Sequence, residues 1–452
     1  MPLPRRMAFA SVLLAAPLFA QDTRTVIEPT IPAICKELKA QLHVNSGVLA
    51  EADESKLDTA RVQGALDKCP KGQAVSLDVD GPMDAFLSGP LQLRQGVTLV
   101  VGKGVTLFAS RDPKVFETAP GSCGIVNDEP GRGCNPLISL NNATGAGVMG
   151  DGTIDGRGGA KLLGQTKSWW DLAEEARPGN RRQQVPRILV ADHADNFTLY
   201  RITLKNSPNF HVVYNHGDGF TVWGLKIDTP QRLARNTDGV DPGGSKNITI
   251  THSFIRTGDD DVAIKGGDAI SHISIIHNHF YYGHGMSIGS ETNGGVSAML
   301  VQDLSLDGPD SGIRIKSMGS RGGLVEGIRY EDVCIRNSPR PIDITAAYSA
   351  NGPVKGNSPP TFRDITLENV RVAGGGKIFF DGYDETHRTG VTLDNVLLDD
   401  SPYTYTVSHA DLHFQNAVNL KIPVATDSTM SGKPSTGKPA SCEAKFVPFP
   451  AQ

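Results

Sequence analysis

The chain of 452 residues contains 50 glycines and 29 prolines, and only 38% of its residues are hydrophobic. This composition predicts many turns between short strands rather than long helices, and therefore a β-rich protein. The formal net charge of −5 excludes a generally basic nucleic-acid binder, so an anionic ligand would have to be met by a local group of cations.

The first twenty residues have the three parts of a secretory signal peptide. Arg5 and Arg6 form a basic start, an apolar run follows at positions 7–16, and the small residue Ala20 precedes the polar Gln21. No later stretch approaches the ~20 apolar residues that a membrane span needs. We therefore expect an exported protein without a membrane contact, either secreted from the cell or kept in the periplasm.

A short helix is predicted near the start of the exported chain. The segment at positions 58–68 has apolar residues at helical spacing, and Asp58 is a candidate N-cap. Such a helix would cover the open N-terminal end of a stack of strands. We expect Cys35 and Cys69 to tie it down through a disulfide.

The chain has six cysteines, an even number that suits an oxidising compartment. Cys123 and Cys134 flank a short polar loop, which we expect them to staple. The pairing of the last two is left open. Cys334 lies within an apolar strand pattern that is also typical of a reduced core thiol, and in that case Cys442 would stay single.

A repeated phrase begins near position 196, in which a turn residue precedes an alternating apolar strand. Its seven instances start 23 to 37 residues apart, at Asn196, Gly219, Asn247, His272, Ala298, Gly327 and Asp364. Strand units of this period predict an all-β solenoid, the right-handed parallel β-helix. A seven-bladed propeller is the competing architecture, but each blade needs about 40 residues or more.

We divide the chain into three parts. Residues 1–20 form the signal peptide, and residues 21–427 form a single β-helix domain whose first part, about 21–100, caps the stack. Residues 428–452 are rich in serine, glycine and proline and are expected to form an irregular tail.

Four polar motifs interrupt the apolar repeat about one coil apart. They are NTDG at 236–239, GDDD at 258–261, GHG at 283–285 and RIK at 314–316. Strands on neighbouring coils lie ~4.8 Å apart, so the four motifs are expected to line one strip ~15 Å long. That length matches a few sugar rings.

The residue types in these motifs suit the hydrolysis of an acidic sugar polymer. One protonated and one ionised carboxyl group are what glycoside hydrolysis needs, and crowding Asp238, Asp259 and Asp260 is expected to raise at least one pKa. Adjacent carboxylates on a strand would point to opposite faces, so we expect a turn at Gly258. Arg314 and Lys316 are two residues apart and face the same way, as a grip on a sugar carboxylate requires.

Each motif also has a structural interpretation when it is taken alone. Asn-x-Asp-Gly is a common turn, the aspartate run is compatible with a solvated loop or a calcium site, and His284 between two glycines can close a turn. Arg314 and Lys316 alone are typical of a solvated strand face. The spacing by one coil favours shared chemistry, because chance gives no reason for alignment.

The chain resembles the polygalacturonases of glycoside hydrolase family 28, in their bacterial form, over roughly residues 120 to 400. The resemblance rests on GDGTIDGRGG at 150–159, Trp169 and Trp170, NSPNFH at 206–211, NTDGVDP at 236–242, GDDDVAIKGG at 258–267, GHGMSIGSE at 283–291 and GIRIKS at 312–317. Fungal members often have Gln and Cys where this chain has Gly258 and Asp261, so the role of Asp261 is left open.

The resemblance implies the roles of the site residues. Asp259 would be the general acid, Asp238 and Asp260 would activate the attacking water, and the reaction would invert the anomeric carbon. His284 would support the acid or the bound sugar. The substrate-binding residues would be Asn236, Lys265, Arg314, Lys316 and Tyr348. The resemblance implies a monomer that acts on polygalacturonate, the pectin backbone, without a metal or cofactor.

Internal attack on the polymer is favoured, and three alternatives are kept. An exo-polygalacturonase would differ only in the loops at the ends of the cleft. A calcium-dependent pectate lyase also combines a β-helix with clustered aspartates, but it leaves an unsaturated product. A non-catalytic β-helical adhesin would bind pectin without cutting it.

Overall fold

A computed structural model describes residues 21–129, 131–179, 181–348, 356–423, 425–437 and 441–451. The predicted signal peptide at positions 1–20 lies outside the described residues. Within them the chain forms a right-handed parallel β-helix, as predicted from the repeat. No helix in these ranges has the length and apolar character to cross a membrane.

Two parallel sheets run the length of the described coils. An eleven-stranded sheet contains Leu91–Gln92, Ile138–Thr144, Leu189–Asp195, Val212–Asn215, Val240–Gly243, Val262–Ile264, Met286–Ser290, Ser311–Ser317, Arg340–Thr345, Gly376–Asp381 and Tyr403–Ser408. A 21-stranded sheet contains Ala33–Lys39, Gln73–Asp78, Ala85–Ser88, Val97–Val101, Thr106–Ala109, Gly147–Met149, Thr153–Asp155, Phe197–Tyr200, Thr203–Lys205, Asp218–Trp223, Lys226–Asp228, Lys246–Thr251, Phe254–Arg256, Ile270–Phe280, Val296–Asp307, Leu324–Arg336, Thr361–Glu368, Arg371–Ala373, Thr389–Leu398, Ala410–Val418 and Thr429–Gly432.

The remaining described elements are short. Two antiparallel pairs join Val44–Asn45 to Val48–Leu49 and Ile125–Asn127 to Arg182–Gln184. The α-helices are Thr59–Lys68 and Trp169–Ala176, and the 3₁₀ turns are Glu51–Asp53, Pro113–Phe116 and Glu443–Lys445.

The turn residue that opens each predicted repeat is the residue that bends the coil. All seven repeat starts have positive φ, namely Asn196, Gly219, Asn247, His272, Ala298, Gly327 and Asp364. Glycine and asparagine adopt this left-handed conformation more readily than other residues. Ala298 adopts it with φ 52°, at a cost of roughly 1–2 kcal/mol.

The interior of the solenoid is built from columns of apolar side chains in register. One column runs through five consecutive strands at Val222, Ile250, Ile275, Val301 and Tyr330, all of them fully buried. Burying each aliphatic side chain stabilises the fold by roughly 1.5–3 kcal/mol. The alternation of the repeat therefore fixes the register, because a slip by one residue would turn each column outward.

The predicted N-terminal helix is present as Thr59–Lys68, and Val62 and Leu66 bury its apolar face against the main core. The predicted disulfide between Cys35 and Cys69 is also present. Asp58 occupies the N-cap position, as predicted, but its side chain makes no capping hydrogen bond. Its carboxylate instead accepts hydrogen bonds from the Arg61 guanidinium and from a backbone amide of the neighbouring coil.

All six cysteines are paired. Cys123 bonds to Cys134 as predicted, and Cys334 bonds to Cys442, so the reduced-thiol alternative is wrong. The physical reason is the strand alternation. Cys334 pairs in register with Ser305 on the previous coil and with Arg371 on a later one, which places its side chain on the outer face of the sheet.

The C-terminal tail is more regular than its composition predicts. Thr429–Gly432 adds one more strand beside Ala410–Val418, and the segment after Cys442 runs back along the outer face of the sheet. There the ring of Phe449 lies 4.0 Å from the guanidinium of Arg256, measured from the ring centroid. The tail therefore forms a strap across coils that are distant in sequence.

Removing the bridge at the start of this strap tests its contribution. Replacing Cys334 and Cys442 together by alanine should lower the free energy of unfolding by about 2–4 kcal/mol, because the bridge closes a loop of 108 residues in the unfolded chain. Urea unfolding measures the change, and Ser441→Ala serves as the neighbouring control. Unfolding free energies equal to those of the control would contradict a stabilising strap.

Candidate active site

The register of the eleven-stranded sheet brings the polar motifs together. The strands that begin at positions 240, 262 and 286 pair in register at their first residues. Asp238, Asp260 and His284 each lie two positions before one of these starts, so they occupy equivalent places on successive coils. One coil further, Arg314 pairs with Ser287 on the preceding strand. The predicted alignment by one coil is therefore present.

All nine residues that the sequence assigns to the site line one cleft of about 610 Å³. They are Asn236, Asp238, Asp259, Asp260, Lys265, His284, Arg314, Lys316 and Tyr348. They come from five successive strands of the eleven-stranded sheet and the turns beside them. The stacking of coils, and not any single motif, therefore brings them together. What the cleft can do follows from the partners of each charged group.

The predicted turn at Gly258 is present, and it brings two adjacent carboxylates into the cleft. The backbone bends at Gly258 and Asp259, and the next strand begins only at Val262. A side chain at position 258 would lie 2.2 Å from the carbonyl oxygen of Ala234, so only glycine fits there. The amide of Asp260 donates a hydrogen bond of 3.0 Å to Oδ1 of Asp259, which fixes the bend.

Asp260 is the firmly ionised carboxylate of the site. It is 1% exposed, and its two oxygens lie 2.7 Å from Nζ of Lys316 and 3.1 Å from a guanidinium nitrogen of Arg314. The hydroxyl of Ser287 donates a third hydrogen bond of 2.7 Å. Burial raises the pKa of Asp260, but Lys316 and Arg314 outweigh burial and lower it well below its usual value.

His284 and Asp259 share a proton. Nδ1 of His284 lies 3.0 Å from Oδ1 of Asp259, and its Nε2 lies 3.3 Å from Asp310. Burial lowers the pKa of His284, but the two carboxylates outweigh burial and raise it to about 10. For Asp259 burial raises the pKa, and the hydrogen bond and charge of His284 bring it below its ordinary value. The shared proton therefore sits on the imidazole.

Asp238 differs from Asp259 and Asp260 in the direction of its pKa shift. Burial raises its pKa well above the ordinary value, and the charges of Asp241 and Asp259 raise it further. Lys265 is its cationic partner, 3.5 Å from Asp238 and 3.7 Å from Asp241. The expected rise in at least one pKa among crowded carboxylates therefore falls on Asp238 rather than on Asp259.

Asn236 and Tyr348 complete the lining of the cleft. The backbone amide of Asn236 donates a hydrogen bond of 3.3 Å to the carboxylate of Asp259, and its side-chain oxygen accepts one from the side chain of Gln183. The ring of Tyr348 lies below the two cations, with its centroid 5.5 Å from the Arg314 guanidinium carbon and 5.4 Å from Nζ of Lys316. Arg314 and Lys316 face the same way, as their spacing predicts.

Asp261, whose role the sequence left open, is a buried structural group. It is fully buried, and Oδ2 accepts a hydrogen bond of 3.2 Å from the amide of Gly285. A side chain at Gly283 would lie 2.8 Å from its Oδ1. Burial raises its pKa well above the usual value, and its hydrogen bond to Gly285 holds the Gly-His-Gly turn in place.

Five of the described residues that the sequence analysis did not select make polar contacts with site groups: Gln183, Asp241, Ser287, Asp310 and Asp343. Two of them could have been predicted from the alternation of side chains along a strand. Asp241 lies within NTDGVD, and Ser287 pairs in register with Arg314, so both occupy outward positions of the sheet that faces the cleft. Gln183 and Asp310 come from outside the quoted motifs and carry no such signal.

The chain resembles known proteins over most of its length. The model of the family "Glycosyl hydrolases family 28" matches residues 69–417. The endo-polygalacturonase of Pectobacterium carotovorum subsp. carotovorum is 46% identical over 389 residues, covering 85% of this chain and 92% of the relative. The polygalacturonase of Ralstonia nicotianae is 40% identical over 492 aligned positions, covering 94% and 92%. The solved polygalacturonase of Erwinia carotovora ssp. carotovora superimposes with a TM-score of 0.79 at 42% identity, covering 86% of this chain and 99% of that structure.

Asp241 makes the stability of the site depend on pH. Burial is the main cause that raises its pKa from 3.8 to about 7. A raised carboxyl pKa stabilises the folded state below the unfolded value, and this stability is lost as the pH rises through the folded value. Between these two pH values the unfolding free energy of the wild type should therefore fall relative to that of Asp241→Asn, by about 2 kcal/mol or more.

Urea unfolding across this pH range measures the difference. The exposed Asp364→Asn is the control and should follow the wild type. Parallel pH dependence in Asp241→Asn and the wild type would contradict a protonated buried carboxyl at this position.

Proposed function

This chain belongs to the glycosyl hydrolases of family 28 and cleaves O-glycosyl bonds, and we propose that its substrate is polygalacturonate, cut at internal α-1,4-galacturonosyl bonds. The observation that carries the proposal is one cleft in which carboxyl groups and cations from successive coils meet. Carboxyl groups in different protonation states supply acid and base, and the cations suit a sugar that carries one carboxylate per ring. The endo-polygalacturonases among the relatives support the internal cut.

We propose Asp259 as the proton donor to the glycosidic oxygen. Its hydrogen bond to His284 supports this role, because the imidazole holds the proton of the pair. An anionic sugar bound beside Asp259 would raise the proton affinity of the carboxylate. The proton would then move to Asp259 when substrate arrives, and be passed to the leaving oxygen.

We propose that Asp260 and Asp238 activate the attacking water together, with inversion of the anomeric carbon: Asp260 accepts its proton, and Asp238, whose pKa is raised, holds the water in place. Asp260 is ionised, but a carboxylate held by two cations is a weak base. A galacturonate carboxylate competes for Arg314 and Lys316, and this competition would release Asp260 to accept the proton of water. Substrate binding and base strength are thereby coupled through the same two cations.

The charge balance argues against a calcium-dependent lyase. Asp259, Asp260 and His284 have donor atoms within 4.8 Å of one another, which is a spacing that metal sites use. Here cations already hold these carboxylates, and a calcium ion would have to displace Lys316, Arg314 and the His284 proton. An adhesin would need neither the split pKa values nor the His284–Asp259 pair.

We propose that the protein acts outside the cytoplasm. The disulfides Cys35–Cys69, Cys123–Cys134 and Cys334–Cys442 support an oxidising compartment, as does the signal-like start of the sequence. A pectin-degrading enzyme would meet its polymeric substrate there.

Product analysis on de-esterified polygalacturonate in excess chelator tests the function. The proposal expects reducing ends without ultraviolet-absorbing products, and viscosity that falls early because internal cuts shorten the polymer quickly. Asp259→Asn should fold normally and lose activity by roughly 10²- to 10⁴-fold, while the exposed Asp332→Asn keeps it. Loss of cleavage on chelation, or unsaturated products, would overturn the proposal in favour of a lyase. Single sugars released from the start would favour exo action.

Lys316→Met tests the coupling between the cations and the base. Lys316 is the strongest of the groups that lower the pKa of Asp260, so its loss should raise that pKa and move the acid limb of the kcat profile to higher pH. We expect kcat to fall about tenfold or more and KM for polygalacturonate to rise as well.

Lys377→Met, an exposed change on the same sheet, is the matched control for that experiment. An increase in KM alone, with an unshifted pH profile, would show that Lys316 binds substrate without acting on Asp260.

A further inference from the structure

A second hollow opens beside the cleft and is lined by five arginines. Arg132, Arg181, Arg182, Arg187 and Arg235 surround a volume of about 440 Å³, which we call the arginine hollow. It shares Phe210, Arg235 and Asn236 with the cleft, so the two form one continuous surface. Among the described residues, no acidic side chain lines the hollow.

The positive charge of the arginine hollow is almost uncompensated. Within the described part of the chain, one carboxylate lies within ion-pair distance of these five guanidinium groups, that of Asp128 at 3.3 Å from Arg181. Asp260 in the neighbouring cleft shows the opposite case, in which one carboxylate holds two cations. Gathering five cations around one carboxylate adds nothing to the stability of the fold, because the like charges repel one another.

Arg187 is positioned for an anion by its neighbours. Its guanidinium lies 4.4 Å from the centroid of the Phe210 ring and donates one hydrogen bond of 3.0 Å, to Asn209. Burial lowers the pKa of Arg187, and the charge of Arg132 lowers it further. An anion placed between Arg132 and Arg187 would relieve both effects. The disulfide Cys123–Cys134 holds the loop that carries Arg132.

The register of the eleven-stranded sheet gives the distance from the arginine hollow to the carboxyl groups of the cleft. Arg187, Phe210 and Asp238 each lie two positions before residues that pair in register on three successive strands. Arg187 is therefore two coils, or ~10 Å, from Asp238 along the axis of the solenoid. That distance corresponds to about two sugar rings beyond the cut bond.

We propose that the arginine hollow binds the carboxylates of galacturonate units that lie away from the cut bond, and that it selects long de-esterified stretches of the polymer. This inference rests on the proposed function. A methyl ester removes the charge that the hollow recognises, so esterified stretches bind there less well. The hollow would also hold a long chain in place for internal cuts.

The test compares a long and a short substrate in a variant that removes two exposed cations. Arg132→Gln combined with Arg182→Gln should raise KM for long polygalacturonate by about tenfold at low salt and leave kcat within about twofold. Kinetics on trigalacturonate, whose three rings fit within the strip from Asp238 to Lys316, should stay unchanged. The increase in KM should shrink at high salt, because screening weakens such contacts.

Arg363→Gln, an exposed change on the other sheet, is the control, and thermal unfolding checks that every variant is folded. If the double variant does not fold, Arg182→Gln alone gives the same comparison. Unchanged KM for the long substrate, or an equal loss on both substrates, would overturn this inference. Absence of any reducing ends from polygalacturonate with the wild type would instead refute the proposed function.

Discussion

The parallel register of the eleven-stranded sheet is the constraint on which the cleft depends. No motif contains a complete site, since the carboxylates, the histidine and the cations come from strands that are 21 to 30 residues apart in sequence. The interior columns of valine and isoleucine hold the coils in register, and the left-handed turn residues set the length of each coil. If one strand shifted by a single residue against its neighbours, Asp260 would be separated from Lys316 and the outward-facing side chains would point into the core. Stability and function therefore use the same repeat.

Charge balance then decides what the gathered groups can do. Four carboxyl groups in a buried cleft cannot all be ionised, and the cations are distributed unevenly among them. Asp260 receives Arg314 and Lys316, Asp259 receives His284, and Lys265 is divided between Asp238 and Asp241. This uneven distribution separates their pKa values, which is the condition that acid–base chemistry requires. The arginine hollow shows the same uneven distribution of charge. Its five cations have one carboxylate partner among the described residues, so they are placed to bind an anion from outside the protein.

The sequence predicted the architecture and the composition of the cleft, because both follow from periodicity. A period of strand and turn predicts a solenoid, and motifs at that period must align on one face. The hydrogen-bond and ion-pair partners of individual side chains could not be predicted from the sequence. The hydrogen bond of His284 to Asp259, and the location of the raised pKa on Asp238, depend on side-chain directions within turns that have no fixed period. The pairing of Cys334 and Cys442 was left open for a related reason, since the return of the tail leaves no repeating signal in the sequence.

The most direct test of this account is an NMR titration of the aspartate carboxyl groups in the substrate-free protein, with Asp238→Asn and Asp260→Asn used to assign the signals. The signal of Asp260 should show no protonation down to the lowest pH at which the protein is folded. The signal of Asp238 should show protonation well above the ordinary aspartate range. Protonation of Asp260 at an ordinary pH, with Asp238 ionised throughout, would contradict the claim that the uneven distribution of cations separates the pKa values of these carboxyl groups.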